Sequence, residues 1–158
     1  MFNAIKVFAA SMMFIGVSQL VLAEGAHMSM SIKQGSFEDA KEAVEMAITG
    51  RGFVINNVSH VGEMLERTGK DLGNARQIFI KAEALEFCSA TLSRKMMEAD
   101  PDNIVFCPYI ISIYVLPEKP NEVRLAYRKM QIVGTPAAQK SLMAVNDLLA
   151  DIIKEAVE

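Results

Sequence analysis

One short run constrains this chain more than any other. Pro108 to Leu116 reads PYIISIYVL, almost without a polar break. A short apolar run rich in β-branched and aromatic residues, closed by prolines, reads as a strand. It should be a central strand, buried on both faces or on one face plus a partner subunit. Pro117 to Asn121 is then a turn. Beyond it Val123, Leu125 and Tyr127 alternate with Arg124, Ala126 and Arg128. That alternation predicts a half-exposed strand hairpinned to the first.

Other elements follow closely, as in one compact domain. His27 to Lys33 alternates Met28, Met30 and Ile32 with polar neighbours, which suits an edge strand. Ser36 is the expected N-cap of a helix that places Phe37, Ala40, Val44, Ala47 and Ile48 on one face and ends at Gly50 and Gly52. Phe53 to His60 reads as a strand and Val61 to Leu72 as a short helix closed by Gly73. Gln77 to Glu86 carries Ile78, Ile80, Ala82 and Ala84 at period two, a further strand. A third helix is expected to start at Cys88-Ser89 and to stop at Asp100-Pro101, because proline cannot continue the hydrogen bonding. From Pro136 a last helix aligns Leu142, Val145, Leu149, Ile152 and Ala156. The order is β-α-β-α-β-α-β-β-α, an α+β fold with helices packed on one face of a mixed or antiparallel sheet.

The N-terminus, MFNAIKVFAASMMFIGVSQLVLAEG, has the form of a secretory signal peptide. Lys6 supplies the positive end, Val7 to Leu22 the apolar segment, and Val21-Leu22-Ala23 a cleavage site after Ala23. Residues 1–23 are thus expected to be removed, and 24–158 to form the mature domain in the periplasm or outside the cell. The apolar run is interrupted and too short to suit a spanning anchor, so no membrane segment is expected in the mature form. Loss of Lys6 takes the formal charge of −3 to −4. A mildly acidic chain argues against a nucleic-acid partner.

The succession Gly50-Arg51-Gly52-Phe53, the strand Ile78-Phe79-Ile80, and the strands ISIYV and VRLAYRK resembles the family known as domain of unknown function 302. The similarity runs from about Ile32 to Met130 and leaves the helix over 136–158 outside. The resemblance implies an α+β fold that pairs into homodimers, and it brings no established reaction. The Phe87-Cys88 and Phe106-Cys107 pairs suggest an exported, cysteine-containing subgroup.

Cys88 and Cys107 are the only cysteines. At the start of a helix, Cys88 would have a lowered pKa and a reactive thiolate. The helix carries the chain roughly 16 Å away from Cys88. Asp100 to Cys107 can span at most about 26 Å on the way back. The sulfurs can therefore meet if the strand from Pro108 is antiparallel to the strand from Gln77, and cannot if it is parallel. In an oxidising compartment a pair that meets is usually a disulfide, here stabilising by about 3 kcal/mol. Buried free thiols, a reactive pair, or a metal site are the alternatives.

His60 ends one expected strand and Cys88 follows another. If ligands gather at strand ends, His60, Cys88 and Cys107 could form a soft-metal or thiol–imidazole site. His60 could equally cap a helix or face solvent. His27, Met28 and Met30 offer copper ligands, but alternation parts His27 from the methionines, so packing is the plainer reading. Arg124 and Arg128 share a strand face and could hold an anion, or simply lie in solvent or bridge a dimer. No hydrolase, zinc-protease or phosphate-loop motif is present.

Two functional readings follow. One is an exported binding or interaction module, a homodimer with a structural Cys88–Cys107 disulfide and an unknown small-molecule ligand. The other is a periplasmic thiol redox or sulfur-handling protein, with Cys88 attacking, Cys107 resolving and His60 orienting. Copper or non-covalent haem binding by the pair is a third. The sequence does not decide whether the chain is an enzyme, nor does it fix a cofactor.

Overall fold

A computed structural model describes residues 27–74 and 76–158. The expected signal peptide and its cleavage site lie outside the described residues. The elements are β1 (Met28–Gln34), α1 (Phe37–Thr49), β2 (Ile55–Ser59), α2 (Val61–Asp71), β3 (Lys81–Phe87), α3 (Ala90–Ala99), β4 (Tyr109–Val115), β5 (Glu122–Arg128) and α4 (Pro136–Val157). A 3-10 turn over Pro101–Phe106 joins α3 to β4. The fold is α+β, as the sequence pattern implies.

Local chemistry sets the helix ends. Ser36 Oγ accepts the Asp39 N–H at 3.0 Å, and Thr135 Oγ1 accepts the Ala138 N–H at 3.2 Å, each satisfying a free donor of a first turn. Pro101 does not simply stop α3. Asp100 caps the 3-10 turn through its side chain, and the proline takes the first position, where no N–H is needed. Gly52 closes α1 at φ +76°, a conformation that a side chain would disfavour.

The five strands lie in the order β1-β5-β4-β3-β2, and every neighbouring pair is antiparallel. β4 sits in the middle, as its apolar sequence demands. One face of the sheet sends Leu85, Phe87, Tyr109, Ile111, Ile113, Val123 and Leu125 into the core. Val44 and Ile48 of α1 and Leu142, Val145, Leu149 and Ile152 of α4 meet them there. α4 packs on α1 and α3. α2 lies on β3, where Gly62 lets the two backbones approach: a Cβ there would stand 2.9 Å from the Ala82 nitrogen.

Two strands depart from expectation. Ile78 and Ile80 precede β3 and are half-exposed, although Ile80 N–H still bonds to Val115 O at 2.9 Å. In β1 the alternation is inverted. Met28, Met30 and Ile32 are exposed, whereas Ser29, Ser31 and Lys33 are the half-buried set. The pairing Met30↔Ala126 and Ser31↔Leu125 fixes that choice, because Leu125 belongs to the core face.

Candidate functional site

The antiparallel pairing Phe87↔Tyr109 puts the residue after β3 and the residues before β4 at one end of the sheet. The chain does double back after Pro101, and the Cys88 and Cys107 sulfurs stand 3.0 Å apart. A disulfide needs about 2.05 Å. Both residues are free thiols in non-bonded contact, so the expected structural disulfide is not present. The loops bring the sulfurs together without joining them.

The contact extends into a short polar chain. Ser93 Oγ lies 3.4 Å from Cys107 Sγ and 3.0 Å from the Tyr109 hydroxyl. Ser93 lies one turn beyond Ser89, on the side of α3 that faces β4. Tyr109 is fully buried, edge-on to Phe87 at 5.8 Å between ring centroids. Neither residue was singled out from the sequence. The available signal was their spacing: Ser93 at i+5 from Cys88, and Tyr109 two residues past Cys107.

The expected activated thiolate is also absent. The N-cap of α3 is Ser89, whose Oγ takes the Leu92 N–H, so Cys88 sits one residue outside the helix. Burial pushes its thiol up from 9.0 to about 11, and the Cys107 side chain adds to the rise. The Tyr109 backbone N–H and Ser93 pull the other way and lose. Burial likewise raises the Tyr109 phenol above its ordinary value. Cys88 is therefore a protonated thiol near neutral pH.

His60 is not with the cysteines. β2 runs antiparallel to β3 with Ser59 opposite Ala84, so His60 lies toward the start of β3 and Cys88 at its end. The imidazole Nδ1 is 3.4 Å from Glu83 Oε1, and it does not cap α2. Among the described residues no group of three or more His, Cys, Asp or Glu is placed to hold a metal ion. Glu83 itself is buried and pairs with Lys41 at 2.7 Å. That hydrogen bond raises the Lys41 ammonium above its ordinary pKa. Nothing in the local sequence pattern points to this ion pair, because its partners are far apart in the chain.

Arg124 and Arg128 do share the sheet face away from the helices, in register with Ile32 and Met28. Four residues of extended strand separate their Cα atoms by about 13 Å. Arg124 Nε is buried and meets no acceptor among the described residues. Along this face Ala84, Ser112, Ala126 and Met30 form a row of paired positions across four strands. Small side chains there leave a trough of about 550 Å³ beside His27, Met28, Ile110, Tyr114 and Arg128. Val61 and Phe79 rim the face where Tyr114 meets it.

The geometry defines a small sheet-and-helix domain with an open sheet face and a dithiol at one sheet end. Comparison with known families bears on the fold. The chain matches the model of the family described as domain of unknown function DUF302 over residues 28–158, and it belongs to that family. The matched span includes α4, which the resemblance read from the sequence had left outside. A solved structure, an uncharacterized conserved DUF302 protein from Bacillus stearothermophilus, superposes with a TM-score of 0.68 at 15% identity, covering 82% of this chain and 97% of that one. At that identity the likeness concerns the fold alone. No curated protein matches the chain.

Proposed function

We propose that this chain is a small exported binding module that acts as a homodimer, paired through the open face of its sheet. The inverted alternation of β1 carries the reading. An edge strand that served only its own core would turn Met28, Met30 and Ile32 inward. Here they stay 39%, 39% and 44% exposed, and Ile110 of the central strand adds a fourth apolar residue at 41%. An antiparallel sheet with one wet face normally carries polar residues there.

A second copy fits this face better than other occupants because of charge. With a two-fold axis along β4, β5 of one copy lies over β3 of the other. Glu86 pairs with Ile110, and Arg128 stands opposite Ile110 one step beyond the Ile111↔Tyr127 pair. Each Arg128 then meets the partner's Glu86, twice by symmetry. The unpaired Arg124 Nε lies on the same face. The leader-like residues 1–23 support export, and Phe87-Cys88 with Phe106-Cys107 would mark an exported subgroup of the family.

Sedimentation equilibrium of the secreted chain tests the pairing. The wild type should sediment at twice the chain mass, and Ile110→Lys at once, with unchanged circular dichroism. Arg128→Glu should weaken the dimer, and adding Glu86→Arg should restore it. A monomeric wild type, or a dimer indifferent to Ile110→Lys, overturns the reading.

A further inference from the structure

We infer that Cys88 and Cys107 form a binding site for a soft, closed-shell monovalent metal ion of the Cu(I) class. Two sulfurs stand 3.0 Å apart, both half-buried and both free. The strand register Phe87↔Tyr109 holds their backbones in place. Thiolates select soft ions such as Cu(I). The number of ligands narrows the choice further. A structural zinc site closes with four protein ligands, and calcium or magnesium asks for a cage of oxygens. Here two sulfurs come together, and the near oxygens are the neutral hydroxyls of Ser93 and Tyr109. A low-coordinate ion held by two thiolates is what such a set satisfies.

The surroundings suit that charge. One monovalent ion and two thiolates leave a net charge of about −1 in a partly apolar pocket, which needs hydrogen-bond donors more than further ligands. The Tyr109 backbone N–H faces the Cys88 sulfur, and Ser93 Oγ–H lies against Cys107 with the Tyr109 hydroxyl behind it. A straight sulfur–metal–sulfur arrangement with bonds of about 2.2–2.3 Å spans about 4.5 Å. The sulfurs must therefore part by about 1.5 Å, a movement within reach of side-chain rotation about Cα–Cβ. Cys88 lies in the link between β3 and α3, and Cys107 follows the 3-10 turn, so neither rotation has to disturb a ladder. Binding breaks two S–H bonds, forms two metal–sulfur bonds and releases two protons to solvent, with no change of oxidation state.

The test is an anaerobic titration of the reduced secreted chain with Cu(I) against the colorimetric chelator bicinchoninate. One Cu(I) per chain should be withdrawn from the chelator. Cys88→Ser and Cys107→Ser should each weaken binding at least 100-fold while far-ultraviolet circular dichroism stays unchanged. Zn(II) should bind the wild type no better than it binds a variant carrying both Cys88→Ser and Cys107→Ser. Three results would each overturn the assignment. They are no withdrawal of Cu(I), withdrawal that survives both serine variants and so belongs to His27, Met28 or Met30, and tight zinc binding that depends on the same cysteines.

Discussion

Alkylation of Cys88 tests the electrostatics of the thiol site. Burial and the neighbouring Cys107 move its thiol from 9.0 to about 11. Near pH 8, a thiol titrating at about 9 is roughly one-tenth thiolate, and one titrating at about 11 is roughly one-thousandth. Thiolate is therefore scarcer by about 100-fold. The more basic thiolate is also the better nucleophile, which returns about 10-fold over two pKa units. Cys88 should thus react with iodoacetamide about tenfold more slowly than cysteine in an unstructured peptide. Its rate should still be climbing steeply at about pH 10, where the peptide, past its midpoint near about 9, is approaching its plateau. The assay is timed labelling of reduced protein, quenched and read peptide by peptide in a mass spectrometer. Position on the pH axis separates the two causes of slowness. Steric cover lowers the rate equally at every pH, whereas an upward pKa shift moves the midpoint. Cys107→Ala removes a hydrogen bond and a charge that both raise Cys88, so its midpoint should fall. A Cys88 that labels as fast as the peptide near neutrality, or whose rate has its midpoint at or below about pH 9, would refute the reasoning.

Two further predictions concern the other end of β3. Lys41→Ala leaves Glu83 buried without its cation and should cost about 2 kcal/mol near neutrality, less than a fully buried pair because the lysine is partly wet. The Lys41 pKa is raised by its bond to Glu83, so its stabilisation is complete below the unfolded value near 10.5 and is lost as pH climbs through the folded value. Denaturant melts should therefore show wild type and variant converging above that pH, and a constant gap would contradict the pairing. Gly62→Ala puts a Cβ 2.9 Å from the Ala82 nitrogen and should push α2 off β3. The expected cost is about 1–3 kcal/mol. Amide exchange should quicken in α2 and not in β4 or β5, and a variant with native exchange would mean that α2 is seated otherwise.

What the sequence made legible follows from what a period can encode. The apolar face read for α1 is the buried face residue for residue, and α4 buries all five residues read for it together with Ala138 and Ile153, because a stripe at helical spacing has only one way to meet a core. The β4–β5 hairpin was legible for the same reason. The thiol site was legible only as a condition. Convergence of the sulfurs turned on strand direction, and the antiparallel β3–β4 pair supplies it, yet the cap falls on Ser89 and the sulfurs stop at 3.0 Å. His60 was misplaced because gathering at strand ends belongs to parallel sheets, whereas antiparallel β2 and β3 send His60 and Cys88 apart.

β1 is the most instructive case. Alternation says that the two faces of a strand differ, but not which one turns inward. A slip of one residue against β5 would bury Met28, Met30 and Ile32 and expose the serines, at a gain of roughly 1 kcal/mol or more for each side chain moved out of water. The observed ladder forgoes that gain and runs unbroken from Met28↔Arg128 to Gln34↔Glu122. A register that leaves the apolar row outside is economical only if that row is covered by something beyond the chain's own core. The open face is therefore the place to look for a partner, and the dithiol, at one end of β3 and β4, is free to serve a separate purpose.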